Sequence, residues 1–215
     1  MNMNFKKYKE EFLFLPLSGV EEIGMNLNLF YYKGKWLIVD MGIGFGEADK
    51  IPGADVMVPD PSFLKSIEND IVGLVITHAH EDHLGAIQYL FKKFRFPQIY
   101  TSNFTAEFLL RKLSEYKLEN RVNIKRLKLG SNLQIGPFDI ALFELNHSVP
   151  EMNALVFNTK YGKIVHSGDW RFDDAPVIGR ADDYEALAKM GEGGVTALIC
   201  DSTNIFNKGE SGSEG

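Results

Sequence analysis

One short stretch restricts the fold more than any other. Ile71-Val72-Gly73-Leu74-Val75-Ile76-Thr77 is apolar almost throughout, the pattern of a strand buried on both faces. It runs directly into His78-Ala79-His80-Glu81-Asp82-His83, and Leu84-Gly85-Ala86-Ile87 then opens a helical pattern. A buried strand whose end carries three histidines and two carboxylates belongs in a layered fold, with that end opening on a polar cleft.

The rest of the chain agrees with layers. Short apolar, β-branched or aromatic runs at 12–17, 27–32, 36–39, 71–77, 98–101, 123–127, 138–145, 154–158, 163–166 and 195–200 predict strands. Helical spacing is confined to 62–68, 84–94, 105–117 and 184–190. Lys33-Gly34-Lys35 predicts a hairpin, and Gly130 and Gly136-Pro137 punctuate two more hairpin-like connections, so the first and middle parts of the chain read as antiparallel. The glycine- and proline-bearing stretch 40–61 reads as a long functional loop. The sum is an α+β domain over residues 1–206 with more strands than helices, followed at 207–215 by a small, polar, flexible tail or linker.

Composition narrows the function classes. The 215 residues are 45% hydrophobic and 24% charged, which supports a packed core and excludes a disordered or collagen-like chain. A formal charge of −6 repels polyanions overall, so any nucleic-acid site has to be local. Cys200, the single cysteine, excludes an intrachain disulfide, and with no targeting or membrane-spanning segment the expected location is the cytoplasm.

The chemistry sits in the histidine cluster. Three of the five histidines fall within six residues. His78 and His80, two apart in an extended turn, direct their rings to one side, and Asp82 and His83 in the next turn serve a second point a few ångströms away. Imidazole nitrogen and carboxylate oxygen suit zinc, and two ions about 3.5–4 Å apart can activate a water for attack on phosphorus or a carbonyl. Four groups from one turn do not complete two coordination shells. His147, in the loop after strand 138–145, is a candidate third ligand of the first ion. Asp169 follows strand 163–166 through Gly168, which permits a sharp turn, and can bridge both ions. His166, just inside a strand end, reads as structural, and Glu81 as solvated or bonded to the scaffold.

The order His78-x-His80-x-Asp82-His83, His147, Gly168-Asp169 resembles the metallo-β-lactamase superfamily. The flanking segments Gly19-Val20-Glu21-Glu22-Ile23-Gly24-Met25-Asn26, Val39-Asp40-Met41-Gly42, Val58-Pro59-Asp60, Asn146-His147-Ser148-Val149-Pro150, His166-Ser167-Gly168-Asp169-Trp170-Arg171-Phe172-Asp173 and Asp201-Ser202-Thr203-Asn204 resemble, more narrowly, the ribonuclease J family of the β-CASP group. The resemblance implies a four-layer αβ/βα sandwich, incomplete in this chain. It implies two zinc ions, with manganese the other choice: His78, His80 and His147 on one, Asp82 and His83 on the other, Asp169 bridging. Asp82 would orient the attacking water, Asp201 would support the site from behind the ligands, and Asp40 would be structural.

The implied activity is hydrolysis of RNA phosphodiesters, 5′-to-3′ exonucleolytic with some endonucleolytic cutting, in messenger decay and ribosomal RNA maturation. RNA is the implied partner, together with a second copy of the chain in a homo-oligomer. Family members continue into a β-CASP domain and return with a further histidine, whereas no histidine follows His166 here, so the resemblance casts the chain as either a fragment of a longer enzyme or an unusually short relative. The same ligands would equally serve a thioesterase or lactonase, and a chain holding at most one ion would be an interaction module.

Overall fold

The computed structural model describes residues 5–46, 53–209 and 212. Residues 47–52 of the expected loop, 1–4 of the expected domain, and 210, 211 and 213–215 of the expected tail lie outside them. The strands are β1 (Leu13–Ser18), β2 (Leu27–Tyr32), β3 (Lys35–Val39), β4 (Gly44–Phe45), β5 (Val56–Met57), β6 (Ile71–Val75), β7 (Ile99–Thr101), β8 (Ile124–Arg126), β9 (Asn132–Ile135), β10 (Phe138–Glu144), β11 (Asn153–Thr159), β12 (Gly162–His166) and β13 (Val195–Ile199). The α-helices are α1 (Ser62–Ile67), α2 (Glu81–Leu84), α3 (Ile87–Leu90), α4 (Asn103–Ser114) and α5 (Tyr184–Gly191).

One sheet has the order β1-β2-β3-β6-β7-β8, a second β13-β12-β11-β10-β9, and β4-β5 form a small hairpin. The antiparallel expectation holds for β1-β2-β3 and for β9 through β12, and fails in the middle of the chain, where β3, β6, β7 and β8 pair in parallel. The reason is the connections: helical segments separate those strands, and a crossover through a helix returns the chain in the same direction.

Both faces of the first sheet are covered, which is why its central strands lack hydrophobic alternation. Leu29, Tyr31, Trp36 and Ile38 pack outward against Leu64, Leu84, Ile87, Leu90, Leu109 and Leu113. Their neighbours Phe30, Tyr32, Leu37 and Val39 face inward onto Phe138, Ile140, Leu155 and Phe157 of the second sheet. Each such fully buried side chain contributes about 1.5–3 kcal/mol. On the far side α5 is tied to β12 through Lys163 Nζ, which donates to the carbonyls of Met190 and Glu192. Helices, two sheets and α5 make up the α+β sandwich.

Three local corrections stand out. The expected helix 84–94 is two short helices, α2 and α3, joined at Gly85-Ala86, and α2 begins earlier, at Glu81. Residues 132–135 form β9, a strand that its polar composition hides. The loop 40–61 contains the β4-β5 hairpin. Among the described residues, no helix is long and apolar enough to cross a membrane.

Candidate metal centre

The chemistry-bearing residues lie beyond the carboxyl ends of strands, where loops leave the sandwich: Asp40 after β3, His78 and His80 after β6, His147 after β10, Asp169 after β12 and Asp201 after β13. Asp82 and His83 occupy the first turn of α2 rather than a loose turn. That helix is laced to the loop after β3: Met41 N–H donates to His83 O, Ile43 N–H to Glu81 O, and Ala86 N–H to Met41 O. The approach is so close that a Cβ on Gly42 would stand 1.5 Å from Asp82 O and 2.6 Å from His83 N, so only glycine fits.

Asp40 organises the interior. It is 0% exposed, at φ 62, and its Oδ1 accepts from Thr77 N–H at 2.8 Å. The Thr77 hydroxyl donates to Asp40 Oδ2 at 2.9 Å. The same hydroxyl, 3.0 Å from His78 Nδ1, then accepts from that ring nitrogen. His83 Nδ1–H donates directly to Asp40 Oδ2 at 2.8 Å. One buried carboxylate thus orients both imidazoles through Nδ1: His78 Nε2 carries a lone pair facing the cluster, and His83 Nε2 offers one once the extra proton held by Asp40 and Asp169 is displaced.

Three ring nitrogens converge. His80 Nδ1 lies 3.0 Å from His78 Nε2 and 3.0 Å from His147 Nε2, while its own Nε2 is 3.3 Å from Ser148 Oγ. With Nδ1 of His78 committed to Thr77, its Nε2 presents a lone pair to the other two, whose own roles depend on the tautomer of His80 and His147. Four nitrogens about 2.0–2.1 Å from a tetrahedral zinc would be about 3.3 Å apart, close to the spacing here. Asp169 faces both groups: Oδ2 is 3.9 Å from His147 Nε2 and Oδ1 is 3.2 Å from His83 Nε2, which in turn is 3.6 Å from Asp82 Oδ2. His78, His80, His147 and Asp169, and separately Asp82, His83 and Asp169, each bring donor atoms within 4.8 Å of one another and could each hold an ion.

Protonation of the three converging imidazoles fits that use. Burial, reinforced by the neighbouring histidines, pushes His78 well below the usual imidazole value. His80 is lowered by burial in spite of Asp82, and His147 falls to about 4, again chiefly through burial, with Asp169 opposing. All three are neutral, ligand-ready bases at neutral pH. Burial acts to lower His83 too, yet the charges of Asp40 and Asp169 overcome it and hold this ring well above the ordinary value. Burial raises Asp82; in Asp169 burial is outweighed by the hydrogen bond and charge of His83, so its carboxyl is lowered.

The remaining expected residues take lesser places. Asp201 Oδ1 accepts from Thr203 N–H and Oγ1, and its N–H donates to Ser167 Oγ, so it braces the loop after β12 and acts on His147 through charge. His166 is buried with its ring edge on Phe30 and its Nδ1 accepting from Gly168 N–H, a scaffold role. Glu81 is held by Lys112 of α4. Two contributors carry no local sign in the sequence. Thr77 looks like the last apolar-run residue, and Asn26, 56 residues before Asp82, reaches the centre with its carboxamide. Only the proximity of separate loops reveals what their side chains touch.

Comparison with known proteins agrees with this geometry. Residues 26–194 match the metallo-beta-lactamase superfamily. Ribonuclease J of Sinorhizobium meliloti is 42% identical over 209 residues, covering 95% of this chain and 37% of that protein. Ribonuclease J of Corynebacterium glutamicum is 38% identical over 92% of this chain and 27% of its own length, and that of Helicobacter pylori 36% identical over 100% and 30%. The chain therefore spans roughly a third of the length of these relatives. Among solved structures, a protein of unknown function from Enterococcus faecalis V583 superposes with a TM-score of 0.64 at 18% identity, covering 94% of this chain and 53% of that one. The metallo-beta-lactamase fold protein YhfI of Bacillus subtilis gives 0.53, also at 18% identity, over 75% of this chain and 63% of its own. Sequence match, shared sandwich and clustered histidines together place the chain in the metallo-beta-lactamase superfamily.

Proposed function

We propose that this chain carries the dinuclear centre of an RNA phosphodiester hydrolase of the ribonuclease J kind. The observation that carries the reading is the convergence of His78 Nε2, His80 Nδ1 and His147 Nε2 at 3.0 Å spacing beside a second group of Asp82, His83 and Asp169. The choice of RNA over an acyl substrate rests on the ribonuclease J relatives.

In this reading His78, His80 and His147 hold one ion, Asp82 and His83 the other, and Asp169 spans the two. Zinc suits the three imidazoles, and manganese is the alternative where oxygen donors prevail. Bound divalent ions would supply a water activated near neutral pH and neutralise charge at the phosphorus under attack. The chain's own contribution is placement and proton handling. Asp40 keeps His78 and His83 in the ligating tautomer. Asp82, whose carboxyl is raised by burial, orients the water and accepts its proton. Asp201 tunes His147 from behind.

A cleft of about 700 Å³ is lined by Arg126, Lys128 and Arg180 together with Glu144 and Glu151; with Arg126 paired to Glu107, Lys128 and Arg180 are the side chains that could meet a phosphate there despite the charge of −6. From the same resemblance we infer a cytoplasmic, self-associating protein, which fractionation and light scattering test. The deciding experiment is elemental analysis of the purified chain after equilibration with zinc or manganese, paired with end-labelled single-stranded RNA, a thioester and a lactone. Two ions and cutting of RNA alone are expected. Fewer than two ions, or turnover of the acyl compounds without RNA, overturns the reading.

A further inference from the structure

We propose that the carboxamide of Asn26 is an additional oxygen ligand of the second ion, beside Asp82, His83 and Asp169, an assignment that rests on the two-ion reading above.

The backbone argument comes first. Asn26 N–H donates to Asp82 O at 3.0 Å, and Asn26 O accepts from Gly42 N–H at 2.9 Å. Both of its backbone groups are thus spent on the segments that carry or abut the second group of donors. Just before it, Gly24 at φ 84 and Met25 at φ 54 turn the chain over the start of α2, with Met25 N–H bonded to Ile43 O. A left-handed methionine costs free energy of order 1 kcal/mol and persists only where its surroundings hold it. The turn delivers the Asn26 side chain to one spot.

That spot has ligand spacing. Asn26 Nδ2 lies 3.1 Å from His83 Nε2 and 3.4 Å from Asp82 Oδ2. Those two atoms are 3.6 Å apart, and Asp169 Oδ1 is 3.2 Å from His83 Nε2. Donors about 2.0–2.2 Å from a common ion stand roughly 3.0 Å apart in octahedral and 3.4 Å apart in tetrahedral geometry, so all four distances fit a single coordination shell. A half-turn about Cβ–Cγ exchanges the two ends of the carboxamide and brings Oδ1 to the position of Nδ2 without moving the backbone. The amino end cannot bind a cation; the carbonyl end can. The second site then offers one imidazole, two carboxylate oxygens and a carboxamide oxygen, a harder set than the three imidazoles of the first.

The test is calorimetric titration of the chain with zinc and with manganese under chelator competition, with melting curves recorded alongside, for wild type, Asn26→Ala and Asn26→Asp. Expected are two ions in wild type, the second weakened about 10- to 100-fold by Asn26→Ala with the first unchanged, and affinity restored by Asn26→Asp, which supplies an oxygen at the same place. A wild-type chain binding fewer than two ions overturns the two-ion reading and the Asn26 assignment with it. Two ions in wild type with Asn26→Ala unaffected, or with both ions weakened alike, overturns the Asn26 assignment alone. So does an Asn26→Asp variant as weak as the alanine, the result expected if the side chain acts only through its N–H.

Discussion

Replacing Asp40 by asparagine tests the tautomer logic of the centre without disturbing the backbone, because asparagine tolerates the left-handed conformation found there, φ 62. The backbone N–H of Thr77, 2.8 Å from Oδ1, requires an acceptor, so the amide oxygen of the variant keeps that position and its NH₂ takes the place of Oδ2. There it faces His83 Nδ1, at 2.8 Å in the wild type. Two donors cannot meet, so His83 gives up its Nδ1 proton and keeps the one on Nε2, the atom that points toward Asp82 and Asp169. Binding an ion at Nε2 then requires breaking the new bond and restoring the donor clash. A lost charge-assisted hydrogen bond is worth about 1.5–3 kcal/mol, or roughly 10- to 100-fold in affinity for the second ion.

His78 behaves differently. The Thr77 hydroxyl can still donate, now to the remaining oxygen 3.1 Å away, and accept from His78 Nδ1, so the first ion is retained. Zinc titration against a competing chelator, with elemental analysis after desalting, separates the two sites. The same loss lowers the melting temperature by about 3–12 °C. Wild-type affinity at both sites, or equal loss at both, would refute the argument.

Other outcomes follow from the same geometry. Gly42→Ala places a methyl 1.5 Å from Asp82 O, forcing the start of α2 back by roughly 2 Å; loss of the second ion and a melting temperature lower by at least several degrees are expected, and an unchanged melt would contradict the close approach. His147→Ala should cost one ion per chain and Asp169→Ala both, counted by elemental analysis; equal losses would remove Asp169 from the bridging position. In chelator, stability should fall as pH drops from about 6.5 toward 4, because His78, His80 and His147 take up protons in the unfolded chain before they do in the folded one. His83, raised in the folded state, adds a slope of opposite sign only near the top of that window, where the unfolded chain is not yet fully protonated, and melts of His147→Gln should show a shallower pH dependence.

How much was legible beforehand differs by feature. The cluster from His78 to His83, the distant His147 and the Gly168-Asp169 turn were readable because ligand residue types at short spacing, and small residues at strand ends, have few other uses. Most strands and α1, α4 and α5 were readable from periodicity. The parallel middle of the first sheet was not, since strand direction depends on where the intervening helices pack. Nor was β9, whose residues alternate in burial on a sheet edge while its composition is polar.

The sequence by itself determined the candidate ligand residue types, the layered class and most of the strands, because these follow from residue chemistry and from apolar runs that must leave water. The tertiary structure alone decided that Asp40 sets two histidines through one buried carboxylate, that Thr77 relays to His78, and that Asn26 reaches a helix 56 residues away. Hydrogen-bond direction and donor spacing are properties of atoms brought within 3–4 Å from separate loops, and no local pattern along the chain encodes that meeting.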